Sequence, residues 1–148
     1  MEDWEADLLA LAQDALVEQG LETALADEAV NAARGVMESD LWKRASAAEQ
    51  VLVEVPFEIL MADAGSAGES PGLLVRGAID LAFHEPQGWV IVDYKTDRRP
   101  ADRLEGLVEK YRAQVQLYAR AWTTITGQPV HEAGLYFTHS RTYRKIAW

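Results

Sequence analysis

The sequence predicts an α+β fold: a central mixed sheet of about five strands flanked by helices, behind a helical N-terminal section. Three observations lead there. Apolar residues recur at helical spacing through the first 50 positions. Runs rich in β-branched and aromatic residues then occupy 49–61, 73–83, 89–97, 130–138 and 141–147, and a single long helical pattern, 103–126, separates the third run from the fourth. At 148 residues the chain fits one domain able to bury a real core, with 1–48 as a helical lead-in and 49–148 as the core.

Each element has its own signals. Trp4, Leu8, Leu9, Leu11, Ala12, Ala15 and Leu16 mark a first helix, with Gly20 placed to end it. Asp27 suits the N-cap of a second helix reaching about Met37, and Asp40 that of a third reaching about Ala48. The acidic residues of this section read as a solvated face. From 49 to 61, Val51, Val53, Val55 and Phe57 alternate with Leu52, Glu54, Pro56 and Glu58, and Pro56, which donates no backbone hydrogen bond, suits an edge or a bulge. Small and turn-forming residues at 63–72 form a loop, and Glu85-Pro86-Gln87-Gly88 has hairpin composition, so the first three strands make a meander. Asp102, with Glu105 three positions later, resembles a capping box for the long helix. Its apolar stripe runs through Leu104, Leu107, Val108, Tyr111, Val115, Tyr118 and Trp122, and Gly127-Gln128-Pro129 stops it. The last two strands are expected beside the Asp93 strand or against this helix.

Composition excludes several classes of function. The chain has no cysteine, so disulfides, thiolate zinc sites and iron-sulfur clusters are ruled out. Its acidic N-terminus does not read as a signal peptide and no apolar stretch reaches membrane-spanning length, so a cytoplasmic protein is expected. A Walker-type phosphate loop and a Gly-x-Ser-x-Gly elbow are both absent, and His84, His131 and His139 lack zinc spacing. The net charge of −10 is unevenly spread: 3 basic against 16 acidic residues in 1–74, but 11 against 8 in 75–148. Any steering of a polyanion is therefore local to the second half, where Lys95, Arg98, Arg99 and Arg103 cluster. Arg141, Arg144 and Lys145 read as a solvated edge or, alternatively, as phosphate contacts.

The chemistry gathers in the hairpin from Gly77 to Asp97. Strand alternation sends Asp93 and Lys95 to the same face, while Val92 and Tyr94 project to the other. Pairing around the Pro86–Gly88 turn brings Asp80 close enough to Asp93 to share a cation. Two converging carboxylates need positive compensation, and hard carboxylate oxygens suit Mg²⁺. Lysine beside such an ion can position a water or stabilise a phosphate in transfer. The plainer reading makes Asp80 and Asp93 solvated strand-end residues and Lys95 half of a surface ion pair.

Gly77-Ala78-Ile79-Asp80, Val92-Asp93-Tyr94-Lys95-Thr96-Asp97, and Gln114 with Tyr118 resemble the C-terminal nuclease domain of RecB- and AddA-type helicase-nucleases, within the PD-(D/E)xK superfamily. The resemblance runs from about Glu54 to the C-terminus. It implies a restriction-endonuclease-like core and a metal-dependent deoxyribonuclease, an exonuclease serving double-strand-break repair and recombination. Mg²⁺, or Mn²⁺ in its place, would be held by Asp80, Asp93 and the backbone carbonyl of Tyr94, with Lys95 orienting the attacking water and Glu54 as a third carboxylate. Gln114 and Tyr118 would flank the site from the helix, with Arg98 and Arg99 in support at the DNA. The implied partners are DNA and a helicase, on the same chain or another. The chain departs from the family at the metal-ligating histidine expected upstream of the Glu54 strand, since its first histidine is His84. An alternative is a nuclease-fold module that binds DNA or supports assembly without cutting.

Overall fold

In a computed structural model of the chain, residues 4–61, 72–97 and 103–147 are described. The chain packs as two units, residues 1–43 and 44–148. The first holds α1 (Trp4–Glu18), a 3-10 turn (Thr23–Leu25) and α2 (Ala26–Glu38), and α3 (Asp40–Ala47) spans the boundary. Gly20 takes the left-handed conformation, φ 70°, just past α1, as its position suggested. Two expected caps move. Leu25 occupies the N-cap of α2, leaving Asp27 in the first turn, where it still favours the positive end of the helix dipole. Ahead of α3 the Ser39 hydroxyl, not Asp40, accepts the Trp42 N–H at 3.2 Å.

The second unit is built on one sheet in the order β1 (Gln50–Met61), β2 (Leu73–Glu85), β3 (Gly88–Lys95), β4 (Val130–Phe137), β5 (Thr142–Ile146). Adjacent pairs are antiparallel except β3 with β4, which run parallel through the crossover helix α4 (Leu104–Thr126). The sheet is thus mixed and five-stranded, as expected. Gly127 closes α4 at φ 67°, its N–H donating to Thr123 O. Asp102, the expected capping residue, lies outside the described residues, as does the 63–71 loop.

One sheet face and α4 enclose the core. Alternate residues Trp89 and Ile91 of β3 and Ala133, Leu135 and Phe137 of β4 meet the buried stripe Leu104, Leu107, Val108, Val115, Ala119 and Trp122. Trp89 and Trp122 stack edge to face at 5.3 Å, adding quadrupole attraction to the area they bury. Tyr111 and Tyr118, on the same stripe, pack at its border. On the other face, where Phe83, Val90 and Val92 are also fully buried, the Arg44 guanidinium pairs with Glu85 and Glu132 at 2.9 Å each. Tyr143 donates to Glu132 at 2.9 Å and Lys145 adds an ion pair at 3.1 Å. Lys145 therefore serves this network, and Arg144 lies 3.9 Å from Glu105.

Candidate active site

A double irregularity opens the sheet at Asp80. Strands β2 and β3 pair from Glu85/Gly88 as far as Leu81/Val92, and the next rung, Asp80 with Asp93, is not made. Between β1 and β2 the register is the same on both sides of one missing rung, the one that would join Glu54 to Asp80. Core-facing residues also change parity there. Val55, Phe57 and Ile59 pair with Ile79, Gly77 and Val75 on one side of the gap, and Leu52 pairs with Ala82 on the other. Both strands have taken up one extra residue at the same level, so register survives while facing reverses. The simple alternation expected of β1 fails for this reason. Glu54 absorbs the distortion at φ 52°, a region a non-glycine residue enters at a cost of about 1–3 kcal/mol and which concentrates at functional sites.

The gap frees Asp80 from ladder pairing, and its carboxylate takes the place of the missing rung: Oδ2 accepts the Tyr94 N–H at 2.7 Å. In a strand the N–H and C=O of one residue project to the same edge, so the Tyr94 carbonyl turns toward the same gap. Asp93 projects to the α4 face of β3 with only 7% of its surface exposed. The Lys95 ammonium lies 2.7 Å from Asp93 Oδ2. That contact lacks hydrogen-bond alignment, and the buried oxygen has no hydrogen-bond partner among the described residues. Burial, and then hydrogen bonding with Asp93, push the Asp80 carboxyl up to about 6, against the lowering effect of the Tyr94 N–H. Tyr94 itself faces away, 6.1 Å from Tyr136, and burial pushes its phenol up to about 12.

From α4, Gln114 accepts a hydrogen bond from Lys95 Nζ at 3.1 Å and donates to the Tyr118 hydroxyl at 3.3 Å. Tyr118 stands edge-on to Phe57, ring centres 5.1 Å apart, over Gly77. A β-carbon at Gly77 would fall 2.7 Å from the Tyr118 ring, so glycine is what lets the ring seat. Two further residues join the cluster. The Tyr111 ring lies 4.0 Å from Lys95 Nζ and its hydroxyl donates to Asp97 Oδ2 at 3.2 Å. By sequence alone Tyr111 is one member of the apolar stripe. Its place one turn before Gln114 and two before Tyr118 is the signal that α4 turns all three toward the Lys95 side.

Asp80, Asp93, Tyr94, Lys95, Gln114 and Tyr118 are therefore brought together. Glu54 stands opposite Asp80 at the missing rung but is exposed. Among the described residues no three Asp, Glu, His or Cys side chains converge, so Glu54 does not complete a three-carboxylate group. Arg98 and Arg99 lie outside the described residues. The donor set of two close carboxylates, one oxygen of which is buried without a hydrogen bond, plus an adjacent carbonyl, fits a hard divalent cation.

Residues 1–146 match the PD-(D/E)XK nuclease superfamily. The chain is similar to the A-type subunit of the ATP-dependent helicase/nuclease of Acetivibrio thermocellus, 36% identical over 91% of this chain and 11% of that protein. Its counterpart in Carboxydothermus hydrogenoformans is 41% identical over 69% of the chain and 9% of the relative, and that of Geobacillus thermodenitrificans 38% identical over 82% and 11%. The chain thus spans about a tenth of the length of these relatives. With a family match across nearly its whole length and a sheet opened at Asp80 beside Asp93 and Lys95, the chain belongs to the PD-(D/E)XK nuclease superfamily.

Proposed function

We propose that this chain is a Mg²⁺-dependent deoxyribonuclease domain that works with a helicase, hydrolysing phosphodiester bonds at DNA ends during double-strand-break repair. The observation that carries the reading is the convergence of the half-buried Asp80, the buried Asp93 and the Lys95 ammonium where two ladders lose a rung. Asp80, Asp93 and the Tyr94 carbonyl hold the cation. When bound, it supplies neutralisation of charge on the scissile phosphate.

The chain's own residues do the rest. Asp80 is kept at the gap by the Tyr94 N–H, so its carboxylate needs no reorganisation on binding. Lys95, held by Asp93 and Gln114, directs an N–H at the attacking water and at the non-bridging phosphate oxygen on which charge grows. Tyr118 fixes Gln114 from the opposite side. A helicase partner is supported by the names of the relatives, each belonging to an ATP-dependent helicase/nuclease.

Asp93→Ala tests the assignment. Mg²⁺-dependent degradation of linear duplex DNA should fall at least a hundredfold, on the order of losing one charged group from a preorganised site. Undiminished cleavage would refute it. Calorimetric titration separates cutting from the alternative of a non-catalytic module: Mg²⁺ binding lost in Asp80→Ala supports the nuclease, and no binding at millimolar Mg²⁺ supports the module.

A further inference from the structure

Lys95 sits in a cage that its two polar partners do not complete. Asp93 lies on its own strand at 2.7 Å and Gln114 reaches in from α4 at 3.1 Å. Among the described residues a third close neighbour is the ring of Tyr111, whose centre is 4.0 Å from Nζ, well inside the reach of a cation–π contact. That ring is tied from behind, because its hydroxyl donates to Asp97 Oδ2 at 3.2 Å. Asp97 lies two residues beyond Lys95, just past the end of β3. One closed circuit therefore runs from Lys95 to Tyr111, to Asp97, and back along the chain.

From this geometry we infer that Tyr111 is a positioning residue for Lys95. The inference rests on the proposed role of Lys95 in hydrolysis. A lysine has four rotatable bonds, and an ammonium satisfied by Asp93 alone would fold back onto that carboxylate and fail to point outward. The ring face offers attraction without an acceptor lone pair. It holds the charge while leaving N–H groups free for water and phosphate. Gln114 fixes the direction and Tyr111 the distance from the helix. Lys110 also approaches this ring, 4.9 Å from its centre, but is exposed and projects from the helix surface, so its removal serves as a control.

The test uses the full chain and five variants. Tyr111→Leu keeps apolar bulk at the border of the core and removes the ring face; Tyr111→Phe keeps the face and removes the bond to Asp97. Tyr111→Trp restores an aromatic face, and Lys110→Ala removes the second cation. In Mg²⁺-dependent degradation of linear duplex DNA, Tyr111→Leu should lower kcat about tenfold with KM unchanged, the size of one partly desolvated cation–π contact. Tyr111→Phe and Tyr111→Trp should stay within about threefold of wild type, and Lys110→Ala should match it. Equal rates for the Leu and Phe variants overturn the inference, as does a loss confined to KM. A second readout needs no activity: the Lys95 ε-methylene protons should show an upfield ring-current shift in NMR spectra of the metal-free protein. That shift should disappear in Tyr111→Leu and persist in Tyr111→Phe. Its absence in wild type overturns the inference. Lys95→Ala separates the two levels: full activity there refutes the role of Lys95 itself, whereas a dead Lys95→Ala beside a fully active Tyr111→Leu refutes only the role of Tyr111.

Discussion

Asp80→Asn should make the metal-free protein more stable at pH 8 while abolishing its Mg²⁺ response. Asp80 is half-buried beside a second buried carboxylate, and its pKa is raised from 3.8 to about 6. A folded-state value above the unfolded one means that protonation stabilises the fold. That contribution is complete below pH 3.8 and is lost as pH rises through about 6, so above pH 6 the wild type carries the full penalty of the charge. The displacement sets a ceiling of roughly 3 kcal/mol. Solvent reaches part of the carboxyl and screens it, which brings the expected gain to about 1 kcal/mol. For a domain of this size that is a rise in Tm of about 3–5 °C. Asparagine keeps an oxygen for the Tyr94 N–H, so the rung substitute at 2.7 Å survives the change. The assay is thermal unfolding with chelator at pH 8 and at pH 3.5, repeated at pH 8 with saturating Mg²⁺. The variant should melt higher at pH 8 with chelator and equal the wild type at pH 3.5. With Mg²⁺ the order should reverse, since at a hundred times Kd a ligand adds about 2.7 kcal/mol to the protein that binds it. A variant no more stable than wild type at pH 8 would show that burial and the neighbouring Asp93 do not penalise the Asp80 charge, and the electrostatic case for a shared cation would fail.

Two other perturbations reach different parts of the unit. Gly77→Ala should cost about 1–3 kcal/mol in urea unfolding by driving a β-carbon into the Tyr118 ring, and that cost should largely vanish in a Tyr118→Ala background. Arg44→Ala should cost about 2 kcal/mol at pH 7 by stripping Glu85 and Glu132 of their shared guanidinium. Arg44 hydrogen bonds hold the Glu85 carboxyl below its usual range, and for Glu132 the bonds from Arg44, Lys145 and Tyr143 outweigh the opposing effect of burial. Their stabilisation is present above the unfolded value of 4.5 and lost as pH falls through the lowered folded values, so the Arg44→Ala deficit should shrink below pH 4.5 in an acid titration of unfolding.

The reactive hairpin is legible in the sequence because its signals are local. Alternation places Asp93 with Lys95, the turn composition at Pro86–Gly88 marks the hairpin, and helical spacing puts Gln114 one turn before Tyr118. Departures from regularity are less accessible. No glycine marks the kink at Glu54, since an ordinary L-residue has been forced to φ 52° by its surroundings. The Tyr111 ring looks like one more apolar position until Lys95 is found against it. Arg44, Glu85 and Glu132 are far apart in sequence, and only the sheet order brings the end of β2 and the start of β4 to one guanidinium. Lys145, which reads as part of a solvated edge, joins that same network.

The matched kink in β1 and β2 constrains how this part of the chain can change. Deleting Glu54 alone would restore the alternation of β1 with Leu52 and Val55 on one face, leaving Asp80 as the extra residue of an ordinary one-strand bulge. Shortening β2 alone would do the same from the other side and take Asp80 with it. A loss in both strands closes the gap in which the carboxylate stands. The opening for chemistry is therefore written into the parity of two neighbouring strands, each of which contributes one extra residue.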